Sequence, residues 1–360
     1  MKRLITLLLV FCLWFGLTGC SATESPIIDS DATQTITDMA GRSLEIPKEI
    51  KTVYSTGPVG TVFLYTLCPE KLAGWNSPLR EVEKRYIKPE YHNLPSLGVW
   101  RGSSTSGNIE ELLRTKPDLL ISMGDVSPEY IADADAIQEQ LGIPLIMLDG
   151  SLKHVNASYD FMGKILGLED RAAELGTYCT NAVDGVEDLV AAIPEDERVR
   201  VYYAEGPNGL DTEPKGSINA EAIEMAGAFN VADPGKIEVR RMQSSIEQII
   251  MWEPEVIIVS SDGDEKHAIY NLILEDRAWS NIKAVKSGEV FEVPCVPYDW
   301  INRPPSVARI LGIEWLANLL YPEMSTIDIR AETLRFFELF YDYDLTDQEL
   351  DDIFKYAKRR

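Results

Sequence analysis

Histidine, cysteine and positive charge are all scarce in this sequence. Its 360 residues include only three His and five Cys, and 34 Lys and Arg stand against 58 Asp and Glu, for a formal net charge of −24. So acidic a chain is not expected to bind nucleic acid, nor to be held by charge on an anionic lipid surface. His92, His154 and His267 are widely spaced, so a cage of three His and a carboxylate around a bare zinc- or manganese-type ion is not expected. A single His ligating an already chelated metal stays open. Catalytic motifs are missing too. There is no G-x-S-x-G elbow, no H-E-x-x-H and no P-loop, and "GPVGT" at 57–61 lacks the Lys and the spacing to cradle phosphates. The expectation is a chain that is not an enzyme and carries no cofactor or resident metal.

Long apolar runs are absent beyond the first few residues. Lys2 and Arg3 precede an apolar stretch of 14 residues, Leu4 to Leu17. That is short of the roughly 20 residues a membrane span needs, and suits a secretory signal. "LTGC" at 17–20 resembles a bacterial lipobox, so residues 1–19 are expected to be removed and Cys20 lipidated. Residues 20–36, small, polar and Pro-containing, read as a flexible tether to the membrane. The protein is therefore expected to be exported and lipid-anchored on the outer face of the cytoplasmic membrane. Cys12 leaves with the signal, so Cys68, Cys179 and Cys295 remain, an odd number with no disulfide-framework or metal-knuckle spacing. They can be one disulfide with a free thiol, or three buried free thiols.

What is present is a repeated phrase. "NIEELLRTKPDLLISMGD" (108–125) and "SSIEQIIMWEPEVIIVSSD" (244–262) share Ile-Glu, a Pro eight residues after the Ile and an Asp eight residues after the Pro. Each reads as a short amphipathic helix stopped by Pro and followed by a buried strand. In the first, Ile109, Leu112 and Leu113 mark the apolar face. Around these units strands alternate with helices: "TDMAGRSLEIP" (37–47) as a hairpin, then "KTVYST", "LAGW" (72–75), "IPLIMLD", "RVRVYYAEG" and "GEVFEVP" as strands. "GPVGTVFLYTLC", "NAEAIEMAGAFNV" and the strongly amphipathic "SVARILGIEWLANLLYP" (306–322) read as helices. Between them, Glu169 to Ile193 carries one apolar stripe, Leu175, Tyr178, Ala182, Val186, Leu189 and Ile193, and predicts a single long helix able to join two lobes. The domain reading is 37–152 for the first α/β lobe, 153–195 for the spine region, 196–322 for the second lobe and 323–360 for a helical extension whose aromatics could cap the second lobe. Ligands of such sheets bind outside the carboxyl ends of the strands, which predicts a cleft between the lobes.

With the lipobox, the paired units and the spine, the chain resembles the substrate-binding lipoproteins of ABC importers, in the helical-backbone type that serves ferric siderophores, haem and cobalamin. The similarity runs from about 37 to 322, and the loop "VPYDWINRPP" with the tail resembles a subgroup of iron-complex transport proteins. The resemblance implies a fold of two Rossmann-like α/β lobes joined by the spine helix, with limited closure over a ligand. It implies an iron complex as ligand, a ferric siderophore or haem-like chelate, with a corrinoid or a nickel or cobalt chelate as the alternative. The partners it implies are that metal chelate and a membrane permease, met by a monomer. It also implies one docking carboxylate per lobe, Glu110 in "NIEEL" and Glu224 in "INAEAIEMAG".

Flat aromatic contacts and a few charges suit such chelates. The candidate ligand residues are Tyr54, Trp75, Trp100 and Arg101 in the first lobe, and Tyr298, Trp300 and Arg303 in the second. Arg240, Arg241, Glu205 and Asn208 are weaker candidates, and Trp252 and Trp315, on helical stripes, read as core.

Overall fold

The computed structural model describes residues 32–100, 106–235, 241–261 and 267–359. A hairpin of Thr33–Thr37 and Ser43–Pro47 leads into a parallel sheet of Val53–Ser55, Leu119–Gly124 and Leu145–Asp149. "LAGW" does not become a full strand: only isolated bridges tie Leu72 to Val53 and Trp75 to Ser96. The second lobe has a four-stranded parallel sheet, ordered Val290–Glu292, Val256–Val259, Arg200–Ala204 and Phe229–Asn230. Both sheets are covered by helices, and their strands are almost wholly buried, as parallel sheets require.

The repeated phrase is the same device twice. Each copy gives a seven-residue helix, Ile109–Thr115 and Ile246–Trp252. Each is capped by a short polar side chain: Asn108 accepts from the Glu111 amide and Ser245 from the Gln248 amide, both at 3.2 Å. Each ends on a left-handed residue, Lys116 at φ 48° and Glu253 at φ 45°, directly before the Pro and three residues before the strand. The predicted apolar face of the first copy is only partly buried. Leu112 is enclosed, but Ile109 and Leu113 are exposed, at 38% and 43%.

The spine helix is Glu169–Ala191, 23 residues or about 35 Å long. It is preceded by the helix Val155–Leu166, which ends at the left-handed Gly167 and packs along it. Helix Ala308–Leu320 departs from its amphipathic reading. Twelve of its 13 residues are buried, including Arg309 and Glu314, because it lies between the spine, the second lobe and the extension. The extension also departs from expectation. Its helix Ile329–Tyr341 packs on the first lobe and spine, with Phe337 against Tyr86, Phe340 against Tyr159 and Phe336 against Tyr178. That helix also touches helix Ala308–Leu320, and the last residues of the extension reach further onto the second lobe, where Phe354 meets Trp300 and the Ala357 carbonyl accepts from the Trp315 indole at 2.8 Å. Cys68, Cys179 and Cys295 are free thiols.

Candidate ligand-binding site

The lobes meet over a cavity of about 370 Å³. The first lobe contributes Thr61, Trp75, Asn76, Arg80 and Glu83, and the second contributes Cys295, Tyr298 and Arg303. It lies where topology places it, at the start of helix Pro58–Leu67, which follows strand Val53–Ser55, and in the loop that follows strand Val290–Glu292. A larger hollow of about 1010 Å³ lies between the first lobe, the spine and the extension, with Arg171, Tyr178 and Arg335 in its wall. Among the described residues none from the second lobe lines it, so it is not a site between two facing lobes.

Asn76 organises the first-lobe wall. Its amide donates to Tyr54 Oη at 2.9 Å, the Ser55 carbonyl at 3.0 Å and the Gly98 carbonyl at 2.9 Å, while its oxygen accepts from Thr61 at 2.6 Å. Arg80 stands just before the short helix Glu81–Lys84, whose Glu83 reaches back to accept from the Arg80 amide at 2.7 Å and from its Nε at 2.9 Å. Glu83 is buried, so the guanidinium is held from behind by a fixed carboxylate.

The second-lobe wall repeats this arrangement with different parts. In "PYDWINRPP", Asp299 accepts from the amides of Ile301 and Asn302 at 2.7 and 2.9 Å, which curls the loop. Asp299 is fully buried, and burial pushes its carboxyl up to about 6. The curl presents Arg303, whose Nε donates to Glu205 Oε1 at 2.9 Å. Glu205 is itself enclosed, and Glu213 lies beside it; the Asn302 amide donates to Glu205 at 3.4 Å and to Glu213 at 3.1 Å. Burial, then the charge and hydrogen bond of Glu205, push Glu213 up to about 7. Each lobe thus sets one arginine into the cavity wall, gripped through Nε by a buried glutamate.

The structure brings together some of the residues singled out from sequence. Trp75, Tyr298 and Arg303 line the cavity. Tyr54 is fully buried behind it and bonds the Gly98 carbonyl. Trp100 is 2% exposed, with its indole donating to Leu97, beside a hollow of only about 20 Å³ under the same lobe face. Trp300 has no exposure and packs into the core, its indole bonded to the Val296 carbonyl at 3.1 Å. These three indole and phenol rings serve the wall from behind rather than facing the cavity. Arg101, Arg240 and the lipobox Cys20 lie outside the described residues. Glu110 is exposed in the first turn of its helix; Glu224 is half-buried and accepts from the Gly216 amide at 2.8 Å. Arg80, Asn76 and Glu83 were not legible as a site. The signal for Arg80 was a lone base before "EVE", with Glu at the position that caps a helix start.

A model of the family described as periplasmic binding protein matches residues 77–296, more than half of the chain. The chain belongs to the periplasmic binding protein family. A solved structure of an ABC transporter solute binding protein from Sulfurospirillum deleyianum is 30% identical, with a TM-score of 0.81 over 89% of this chain and 99% of that one. The molybdate-binding protein MolA of Haemophilus influenzae is 27% identical over 294 residues, 75% of this chain and 78% of MolA. A Bacillus subtilis ABC transporter substrate-binding lipoprotein, YvrC, is 27% identical over 297 residues, 80% of this chain and 86% of YvrC. This periplasmic binding protein is accordingly the substrate-binding component of an ABC importer, an extracytoplasmic protein of two α/β lobes that passes its ligand to a permease. Among the described residues no helix is long and apolar enough to cross a membrane, and no group of three or more His, Cys, Asp or Glu is arranged to hold a metal ion.

Proposed function

We propose that this protein captures a compact anionic metal species between its lobes and delivers it to a membrane permease. The observation that carries the reading is the pair of arginines, Arg80 and Arg303, one from each lobe, in the wall of a single cavity. An arginine fork suits carboxylate, phosphate or metal-oxyanion oxygens because it presents several donors in one plane. The cavity, about 370 Å³, sits near the lower end of the range for small-molecule sites, which favours a small ligand. Among the ligands the family resemblance implies, this favours a small anionic ferric chelate over haem or a corrinoid. The likeness to MolA supports a second reading, a metal oxyanion such as molybdate.

The test is a titration of intrinsic tryptophan fluorescence with molybdate, ferric citrate, ferric siderophores, haemin, cobalamin and nickel–histidine. A compact anion should bind best. Arg80→Ala and Arg303→Ala should each weaken it roughly tenfold or more, since a hydrogen bond to a charged group contributes about 1.5–3 kcal/mol. Preference for haemin or cobalamin, with both variants neutral, would remove the reading.

Delivery supports roles for Glu110 and Glu224. Each sits on a helix that precedes a parallel strand, so its N-terminal end lies toward the carboxyl ends of the strands, the rim around the cleft. Neighbouring Glu221 is committed elsewhere, to Arg309 at 2.7 Å. Glu110→Ala should leave ligand affinity unchanged and impair uptake in cells; normal uptake would refute the assignment. Lipid attachment at Cys20 and a monomeric state belong to the same proposal.

A further inference from the structure

The buried pair Glu205 and Glu213 lies under the ligand wall without being part of it, and two of its oxygens, Glu205 Oε2 and Glu213 Oε2, are enclosed with no hydrogen-bond partner of ordinary geometry. Two carboxylates that share one donor, the Asn302 amide, are close enough that both cannot be charged without mutual repulsion. We infer that Glu205 is the positioning residue for Arg303 and that a proton on its neighbour Glu213 sets how much of that arginine's charge is left for an anionic ligand, so that capture is linked to proton uptake. The inference rests on Arg303 being a ligand contact.

The surroundings make the charge balance explicit. Against Glu205 stand Arg303 at 2.9 Å from its own loop and Arg241 at 3.8 Å from the segment before strand Met242–Gln243. Arg241 also lies 3.4 Å from Asp211, on strand Asp211–Thr212. Among the described residues, Tyr203 from the strand Arg200–Ala204 and Asp299 from the arginine's own loop also face the pair, and Glu205, Asn219 and Asn302 are the hydrogen-bonding neighbours of Glu213. With Glu213 protonated, two arginines face the charges of Glu205 and Asp211 and the buried Asp299. When Glu213 ionises, one more negative charge is added beneath Arg303, on a buried carboxylate, while the guanidinium itself is partly exposed and partly screened. An anion arriving at Arg303 is then repelled, and reciprocally a bound anion holds the proton on Glu213. A structural role for the pair predicts no such coupling.

The test has a ligand-free arm and a ligand arm. In the protein without ligand, infrared titration should show a protonated carboxyl band that disappears near pH 7 and is missing from Glu213→Gln. The Nε–H resonance of Arg303, assigned by its loss in Arg303→Lys, should move with the same midpoint. A band with that same midpoint, as distinct from those of Asp299 near 6 and Glu314 near 8, that persists in a folded Glu213→Gln protein overturns the inference, and so does an Arg303 resonance that ignores the titration; the second readout needs no glutamate variant to fold. In the ligand arm, molybdate should bind the wild type about fivefold more weakly at pH 8 than at pH 6, the part of a one-unit change in the proton affinity of Glu213 that is expressed between those two pH values. Glu213→Gln should bind it equally at both. Binding that is equal at both pH values in the wild type overturns the linkage. Molybdate failing to bind at either pH counts against the oxyanion reading alone, and the ligand-free arm then decides the inference.

Discussion

Trp300 and Arg303 stand three residues apart in one loop, and the fold sends them in opposite directions. The indole is turned inward, where it meets Phe354 edge-on at 6.0 Å, while Asp299 curls the backbone so that the guanidinium reaches the cavity. The helix behind passes so close that a side chain at Gly312 would collide with the Trp300 carbonyl, its Cβ falling 1.8 Å away. Trp300→Ala should therefore destabilise the protein by about 3–5 kcal/mol, the usual result of emptying a buried aromatic site. Urea denaturation measures this, and a loss below about 1 kcal/mol would show that the site collapses or that the ring is not enclosed. Any change in ligand affinity in that variant would be secondary to a loosened loop. Aromatic content made the loop a candidate from sequence alone, and Arg303 does line the cavity. Which ring faces ligand and which faces core was not legible, because a loop has no periodicity to declare its inner face. Arg80 was missed for the complementary reason: it lies in a stretch with no aromatic cluster, and its buried partner Glu83 resembles any surface glutamate.

At the scale of elements, local chemistry explains the repeated units well. Asn108 and Ser245 cap, Lys116 and Glu253 terminate, and the strand begins after Pro117 or Pro254. Helix Ala308–Leu320 obeys a different rule, since its charged residues are buried with it. Glu314 faces Tyr178 of the spine, whose hydroxyl donates to it at 3.5 Å, with Arg335 nearby on the extension. Burial, and then the charge of Glu332, push its carboxyl from 4.5 to about 8. The folded state thus holds a proton that the unfolded chain releases above 4.5. The contribution is fully present below that pH, declines as pH rises and is gone by about 8. Glu314→Gln has no proton to lose, so its stability relative to wild type should rise between pH 5 and pH 8. Urea midpoints at the two pH values test it; a constant difference would place the charged form in the folded protein. The sequence pattern read this helix as amphipathic because it shows Arg and Glu at intervals, and periodicity cannot tell an exposed charge from one supplied with a buried partner.

At the scale of the whole molecule, two features hold the lobes in relation to each other. One is the extension, which lays its aromatic helix on the first lobe and spine and ends against the second lobe. The other is Arg309, fully enclosed, which donates to Glu221 at 2.7 Å and to the Gly150 carbonyl at 2.5 Å, while Glu221 also accepts from the Leu152 amide at 3.0 Å. Gly150 and Leu152 follow the last strand of the first lobe, so this ion pair joins the lobes beside the spine. Arg309→Ala leaves Glu221 without its counter-charge and should lower stability by about 3–5 kcal/mol. It should also widen the distribution of lobe spacings seen by X-ray scattering; an unchanged scattering profile would assign the clamp to stability alone. The sequence by itself determined the two α/β lobes, the paired helix–strand units and the spine, because caps, prolines and apolar periods act over a few residues and need no partner. Only the tertiary structure decided where the extension packs, which aromatics face inward, and that Arg80 and Arg303 share one cavity. Those are relations between side chains far apart in the chain, fixed by the packing of lobe against lobe.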